Sequence, residues 1–465
     1  MRVESIIDSR FKRAGRTVEG YFANEHGGLT FHAIIAHRTL VVVGSADDVV
    51  ATINRLAKDL NPDARVLTGC NAAAQRLYGA ALQGRAGFDS IVQTGPGCAP
   101  VYLQWSETSL ARGDRDGATR ACAGALALPK TDPIDRAQFE FLCALARGDS
   151  AGRLPALQKL AALLPSDPEL PRNVGELELG ERKYQAAVDS FAAAARNDPD
   201  DAATWNQLGY ARAEMHDLRG AREALERYQT LLPPENPNGL DSLGEVSFFL
   251  GDFTAAEQYF LQANQKNAEA FGGRELLKAA QAHMMTGDLA GADRIFAAQK
   301  NWSDLDRAQW EFITGRRKKA TARLQAAAGN PAAAAQLTLW NAQTGQGPAP
   351  LGGNDLLSRA VAPLLSGRFQ EAIPLLEPLY RGSNPAADGQ VRTLLAWVYA
   401  RSGNRDAAVK LLDLYPIPLA GSGGNAMLAS LVFPRFVELR GELLHSDKDQ
   451  QLSRLYAGDL PDRVQ

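Results

Sequence analysis

The sequence predicts a mainly α chain, a solenoid of stacked helix pairs behind a small α+β N-terminal module. Three observations predict it. Small residues recur in phase: Gly175, Gly209 and Gly244 are 34 and 35 residues apart (209 − 175 and 244 − 209), and Ala187, Ala221 and Ala256 keep the same spacing. Large apolar residues, Phe191, Leu225 and Phe260, follow in that phase. Composition agrees: 45% hydrophobic with only 7% aromatic suits close helix packing better than a large β core. At 465 residues the chain exceeds what one compact core usually holds, and a solenoid avoids that limit by growing in one dimension.

Residues 1–66 do not read as repeats. Residues 17–23 and 29–36 read as strands joined by a turn at 24–28, and 39–44 is a third, Val-rich apolar run. Residues 46–59 carry a helical pattern, with Val49, Val50, Ile53, Leu56 and Leu60 on one face. From 67 to 445 the helix pairs take over. Residues 71–82 suit the second helix of a degenerate pair. Residues 101–128 give a clearer pair, turning at Gly113-Asp114, and 134–166 a looser one, turning at Gly148-Asp149 and stopping at Pro165. The strongest pairs span 168–270, with tight turns at Glu181-Arg182, His216-Asp217 and Gly251-Asp252. Gly287-Asp288 and Gly315 mark two more. A Gly/Pro-rich stretch makes 329–354 an irregular break. Pairs resume at Gly367 and Gly403, a loop YPIPLAGSGG precedes a last helix at 426–443, and 446–465 is a polar tail.

Trp205-Asn206-Gln207-Leu208-Gly209, continued by Ala221, Leu225, Tyr228 and Pro233, resembles a tetratricopeptide repeat of about 34 residues. The resemblance implies a right-handed α-solenoid of roughly nine or ten units. It also implies first helices lining a concave surface that takes extended or helical peptides. Gly209 and Gly244 would let the second helix approach, Phe191, Leu225 and Phe260 would fill the space between adjacent pairs, and Pro199 and Pro233 would stop helices. Separately, the stretch from Thr17 to Leu60 resembles the C-terminal half of TolB-like or flagellar-assembly-lipoprotein-like modules, with the first half of such a module missing.

Catalytic chemistry is not legible. The sequence holds no HExxH, GxSxG, Walker loop or dinucleotide Gly fingerprint, so the expectation is no enzyme, no catalytic residue, no metal site and no cofactor. His26, His32 and His37 read as ordinary histidines rather than ligands. Cys70, Cys98, Cys122 and Cys143 form no CxxC pair and read as buried thiols, with a zinc site or disulfide pair as the alternatives. Lys+Arg of 50 against Asp+Glu of 53 gives a net charge of −3, no sign of nucleic-acid or membrane-surface binding. No apolar run reaches the roughly 18 residues of a membrane span, and the N-terminus lacks a signal-peptide core, so the expected place is the cytoplasm, or the periplasm if an upstream signal or span is missing.

The candidate site is the groove. Aligning on Gly175, Gly209 and Gly244 puts Glu169, Arg172, Glu176, Asn206, Tyr210, Glu214, Asn238, Asp241, Glu245, Phe248 and Phe249 near the first-helix surface. Five acids against one base give an acidic groove with a Tyr210 and Phe248/Phe249 floor, suited to a basic or N-terminal segment with apolar anchors. Solvated charges and packing phenylalanines are the plainer reading of the same residues. The Lys/Asn clamp some relatives of this type use on a C-terminal carboxylate has no match here. The expected function is a non-catalytic protein–protein interaction scaffold or adaptor of undefined oligomeric state. The alternative is the sensory portion of a bacterial signalling protein, a kinase, cyclase or transcriptional regulator lacking its effector domain.

Overall fold

A computed structural model describes residues 19–25, 28–35, 38–44, isolated positions between 55 and 81, and 86–457 except 130, 344–346, 348–355, 383–388 and 420–427. The chain is mainly helical and divides into two compact units, one of residues 1–175 with 192–200, the other of 176–191 with 201–465.

The first unit contains β1 (Glu19–Glu25), β2 (Gly28–Ile35) and β3 (Arg38–Gly44), an antiparallel meander in the order β1-β2-β3. Phe22 pairs with Phe31, and Phe31 with Val42. The strands reach into the turn expected at 24–28, β1 running through Glu25 and β2 starting at Gly28, and Ala36, expected to end the second strand, lies outside the described residues. His32 lies on β2; His26 and His37 lie outside the described residues, as does the helix expected at 46–59, apart from the helical positions Arg55 and Lys58. Helices α1 (Phe88–Thr94), α2 (Ala99–Ala111), α3 (Arg115–Leu126), α4 (Pro133–Arg147) and α5 (Ser150–Leu163) come next. Tyr102, Trp105, Ala121, Ala125, Phe139 and Leu142 form their core. Cys122 of α3 and Cys143 of α4, expected as buried thiols, are joined in a disulfide with Cα atoms 5.4 Å apart. Cys98 is disulfide-bonded too, and no described cysteine is free. Helix pairing explains the correction: α3 and α4 pack together and carry two cysteines 21 residues apart in sequence to bonding distance.

Helices α6 (Glu169–Gly180) and α7 (Tyr184–Asn197) contribute to both units. The second unit continues with α8 (Ala202–Glu214), α9 (Leu218–Leu231), α10 (Asn238–Phe249), α11 (Phe253–Lys266), α12 (Arg274–Met284), α13 (Leu289–Ala298), α14 (Asp304–Ile313), α15 (Arg317–Ala326) and α16 (Pro331–Gln343). It ends with α17 (Leu356–Leu365), α18 (Phe369–Gly382), α19 (Gly389–Arg401), the short α20 (Arg405–Val409), α21 (Ala429–Leu443) and α22 (Asp447–Ala457). Helices pair in sequence order: α8 on α9, α10 on α11, α12 on α13. Local chemistry sets each hairpin. After α10, Gly251 takes φ 82° and Asp252 caps α11 by accepting from the Ala255 N–H at 3.2 Å. At the matching turn His216, with φ 58°, does what glycine does elsewhere, at about 1 kcal/mol of strain.

The small residues act as expected, with one refinement. A Cβ on Gly209 would lie 2.5 Å from Leu225 Cγ, and one on Gly244 would lie 2.5 Å from the Phe260 ring. Leu225 and Phe260 therefore fill space inside their own pair as well as toward the next one. Two segments are more ordered than their composition suggested. The region 329–354, expected as an irregular break, contains α16, which starts at Pro331 and runs through alanines to Gln343. The rest of that region, apart from Gly347, lies outside the described residues. The 446–465 tail holds α22 up to Ala457, because Leu452 and Tyr456, one turn apart, are both buried.

Candidate functional site

The first helices α6, α8 and α10 carry the expected groove residues at helical spacing. Asn206, Tyr210 and Glu214 fall at i, i+4 and i+8 on α8; Asn238, Asp241, Glu245, Phe248 and Phe249 lie on α10. Glu169 and Arg172 belong to the first unit and Glu176 to the second. Glu169, Glu176 and Asn238 are exposed, and Asn206, Tyr210 and Asp241 are half-buried. Asn206 Oδ1 is buried without a hydrogen-bond partner. Glu214, Glu245, Phe248 and Phe249 are buried.

The structure brings Tyr210, Asp241 and Glu245 together around a residue outside the expected groove set, Lys278 of α12. Its ammonium donates to Asp241 Oδ1 at 2.7 Å, Asp241 Oδ2 at 2.9 Å and Glu245 Oε1 at 2.8 Å. Tyr210 donates its hydroxyl proton to Glu245 Oε2 at 2.8 Å. Burial raises the Asp241 carboxyl to about 6 despite Lys278, with Glu245 adding to the rise. Burial works against the Lys278 charge, but Glu245 and Asp241 outweigh it and hold the ammonium above its ordinary value.

Two further groove residues, Glu214 and Phe249, engage the chain's own C-terminal half. Glu214 and Arg392 of α19 form an ion pair at 3.2 Å in which both side chains are only 5% exposed. Charges so enclosed must be paired to be tolerated, so Glu214 has a structural partner already. Tyr415 donates its backbone N–H to the Phe249 carbonyl at 2.9 Å and packs edge-on against Phe253, with ring centroids 5.0 Å apart. The Leu419 N–H donates to Gln281 Oε1 of α12 at 2.6 Å. Tyr415, Ile417 and Leu419, from the segment expected as a loop, and Leu414 just before it are all buried in the same core as Phe248 and Phe249. Phe248 stacks edge-on against Phe253 at 5.1 Å, so this part of the expected aromatic floor lies within the core. Part of the first-helix face is thus covered from within; Glu169, Glu176 and Asn238 are the exposed members of the candidate set.

One signal could have found Lys278 and its neighbour Glu275. Trp205, Leu240 and Glu275 are spaced by 35 (240 − 205 and 275 − 240), as are Leu208, Leu243 and Lys278 (243 − 208 and 278 − 243). Two charged residues on α12 occupy positions that hold large apolar residues on α8 and α10.

A tetratricopeptide-repeat family model matches residues 364–430, C-terminal to the repeats that carried the resemblance. No curated protein matches. Solved structures similar in fold include MamA from Desulfovibrio magneticus RS-1, 23% identical over 37% of this chain and 96% of that one, with a TM-score of 0.33. PilF of Pseudomonas aeruginosa is 17% identical over 43% and 89%, with a TM-score of 0.33. A tetratricopeptide repeat protein from Parabacteroides merdae is 12% identical over 51% and 96%, with a TM-score of 0.37. Tetratricopeptide repeats serve in general for protein–protein interaction. The family match lies outside 1–66, and the TolB-like resemblance of that segment gains no support. Among the described residues no group of His, Cys, Asp or Glu could hold a metal ion, and no helix is long and apolar enough to cross a membrane.

Proposed function

We propose that this chain is a non-catalytic scaffold that holds a partner protein or peptide against the first-helix face of its repeats. The observation that carries the reading is the juxtaposition of Tyr210, Asp241 and Glu245 on neighbouring first helices, with exposed Asn238 one turn from Asp241. The exposed carboxylates of the candidate set are Glu169 and Glu176 on α6, and the reading takes the partner segment as basic. In this reading residues 1–66 are a small α+β module ahead of the repeats. The Cys122–Cys143 disulfide supports an oxidising compartment, the periplasmic alternative, over the cytoplasm, because cytosolic thiols are kept reduced. No observation of the fold favours the sensory reading over the scaffold.

The test is partner capture by the full chain. Charge reversal of Glu214 or Glu245 would set a like charge against Arg392 or Lys278 in the core, so the informative variant changes exposed positions of the second unit only: Glu176→Lys and Asn238→Lys together. Loss of captured protein with an unchanged melting temperature is the expected result. An unchanged set of captured proteins would sink the groove reading.

A further inference from the structure

Glu275 sits at the second position of α12 and is completely enclosed, yet both of its carboxylate oxygens lack a hydrogen-bond partner. Buried carboxylates are ordinarily paired, because removing an ionised group from water without compensation costs several kcal/mol. Lys278, one turn away on the same helix, is the natural partner, but its ammonium is taken by Asp241 and Glu245. Arg274 is exposed, where water screens it. Asp241, Glu245 and Glu275 therefore set three carboxylates against one ammonium in an enclosed cluster. The register sharpens the point. A repeat needs only a large apolar residue at this position, as Trp205 and Leu240 show, so packing does not call for a carboxylate here.

Asp241, in the same cluster, keeps 13% of its side chain exposed; Asn238, one turn before it on α10, and Arg274, next to Glu275 in sequence, are exposed. Gly272 and Gly273, with φ of 62° and 80°, lead into α12 directly before Glu275.

We infer that Glu275, backed by Asp241, is the receiving site for the cationic head of a basic side chain on the partner segment. Two free oxygens on one carboxylate match the two parallel N–H donors of a guanidinium, the geometry of a bidentate arginine pair. The inference rests on the scaffold reading and names the group that the acidic face recognises.

The probe is N-acetyl-arginine amide, with its neutral isostere N-acetyl-citrulline amide as control, at equal ionic strength on the full chain. The readout is melting temperature. The arginine derivative should raise it by roughly 2 °C near saturation, and the citrulline derivative should not. Glu275→Gln should abolish the rise. Glu275→Leu, which restores the residue type found at Leu240, is the second variant and should fold and be equally unresponsive. Equal effects of the two derivatives on the unaltered chain, or the same arginine effect on both variants, would overturn the site. Partner capture that is lost in the surface variant of Glu176 and Asn238 but untouched by Glu275→Leu would overturn this inference and leave the scaffold reading standing.

Discussion

Glu275→Gln should stabilise the chain at alkaline pH and do little at acid pH. Burial is the main reason the Glu275 carboxyl is raised from 4.5 to about 7, with the Asp241 charge adding to it. The folded chain therefore binds this proton more tightly than the unfolded chain does. Between about pH 4.5 and 7 the folded state carries the extra proton, so stability falls as pH rises through that window. Below it the group is neutral in both states and contributes no penalty; above it the penalty is complete. A shift from 4.5 to about 7 corresponds to about 3 kcal/mol as an upper figure. Glutamine has the shape of the protonated acid and cannot ionise, so it removes that penalty and keeps the same packing. Asp241, raised from 3.8 to about 6 mainly by burial, has the same sign of pH dependence and persists in the variant, so the slope shrinks without vanishing. Urea titrations of both chains between pH 4 and 8 measure this directly. The variant should match the unaltered chain near pH 4 and exceed it by about 1–3 kcal/mol at pH 8. A difference that does not change with pH, or a variant less stable at pH 8, would refute the claim that Glu275 is enclosed without a counter-charge.

Three further outcomes test the fold. Glu214→Ala removes the 3.2 Å ion pair from a guanidinium whose side chain is only 5% exposed, and should cost about 3 kcal/mol in a urea titration. Gly244→Ala drives a methyl group to 2.5 Å from the fully buried Phe260 ring and should destabilise by about 1–3 kcal/mol, although alanine is the better helix former. Replacing Cys122 and Cys143 with alanine opens a cross-link between residues 21 apart and should cost about 3 kcal/mol. Thiol titration of the unaltered chain, unfolded without reductant, should then find Cys122 and Cys143 unreactive.

The sequence by itself determined the helix pairs. Gly209, Gly244, Ala221 and Ala256 mark where two helices must approach, and turns such as Gly251-Asp252 end one helix and cap the next through contacts between close neighbours in sequence. A repeat of 34 or 35 residues exposes such contacts because each pair reuses them. Tertiary structure alone decided what the first-helix face holds. Glu214 meets Arg392 across 178 residues, Leu419 meets Gln281 across 138, and the loop-like run around Tyr415 ends buried against Phe253. No periodicity records those encounters, because they depend on how successive pairs accumulate their rotations. The same holds for Glu275. Its place in the register was readable, but only the folded chain shows Lys278 bound to Asp241 and Glu245, which leaves the Glu275 carboxylate alone.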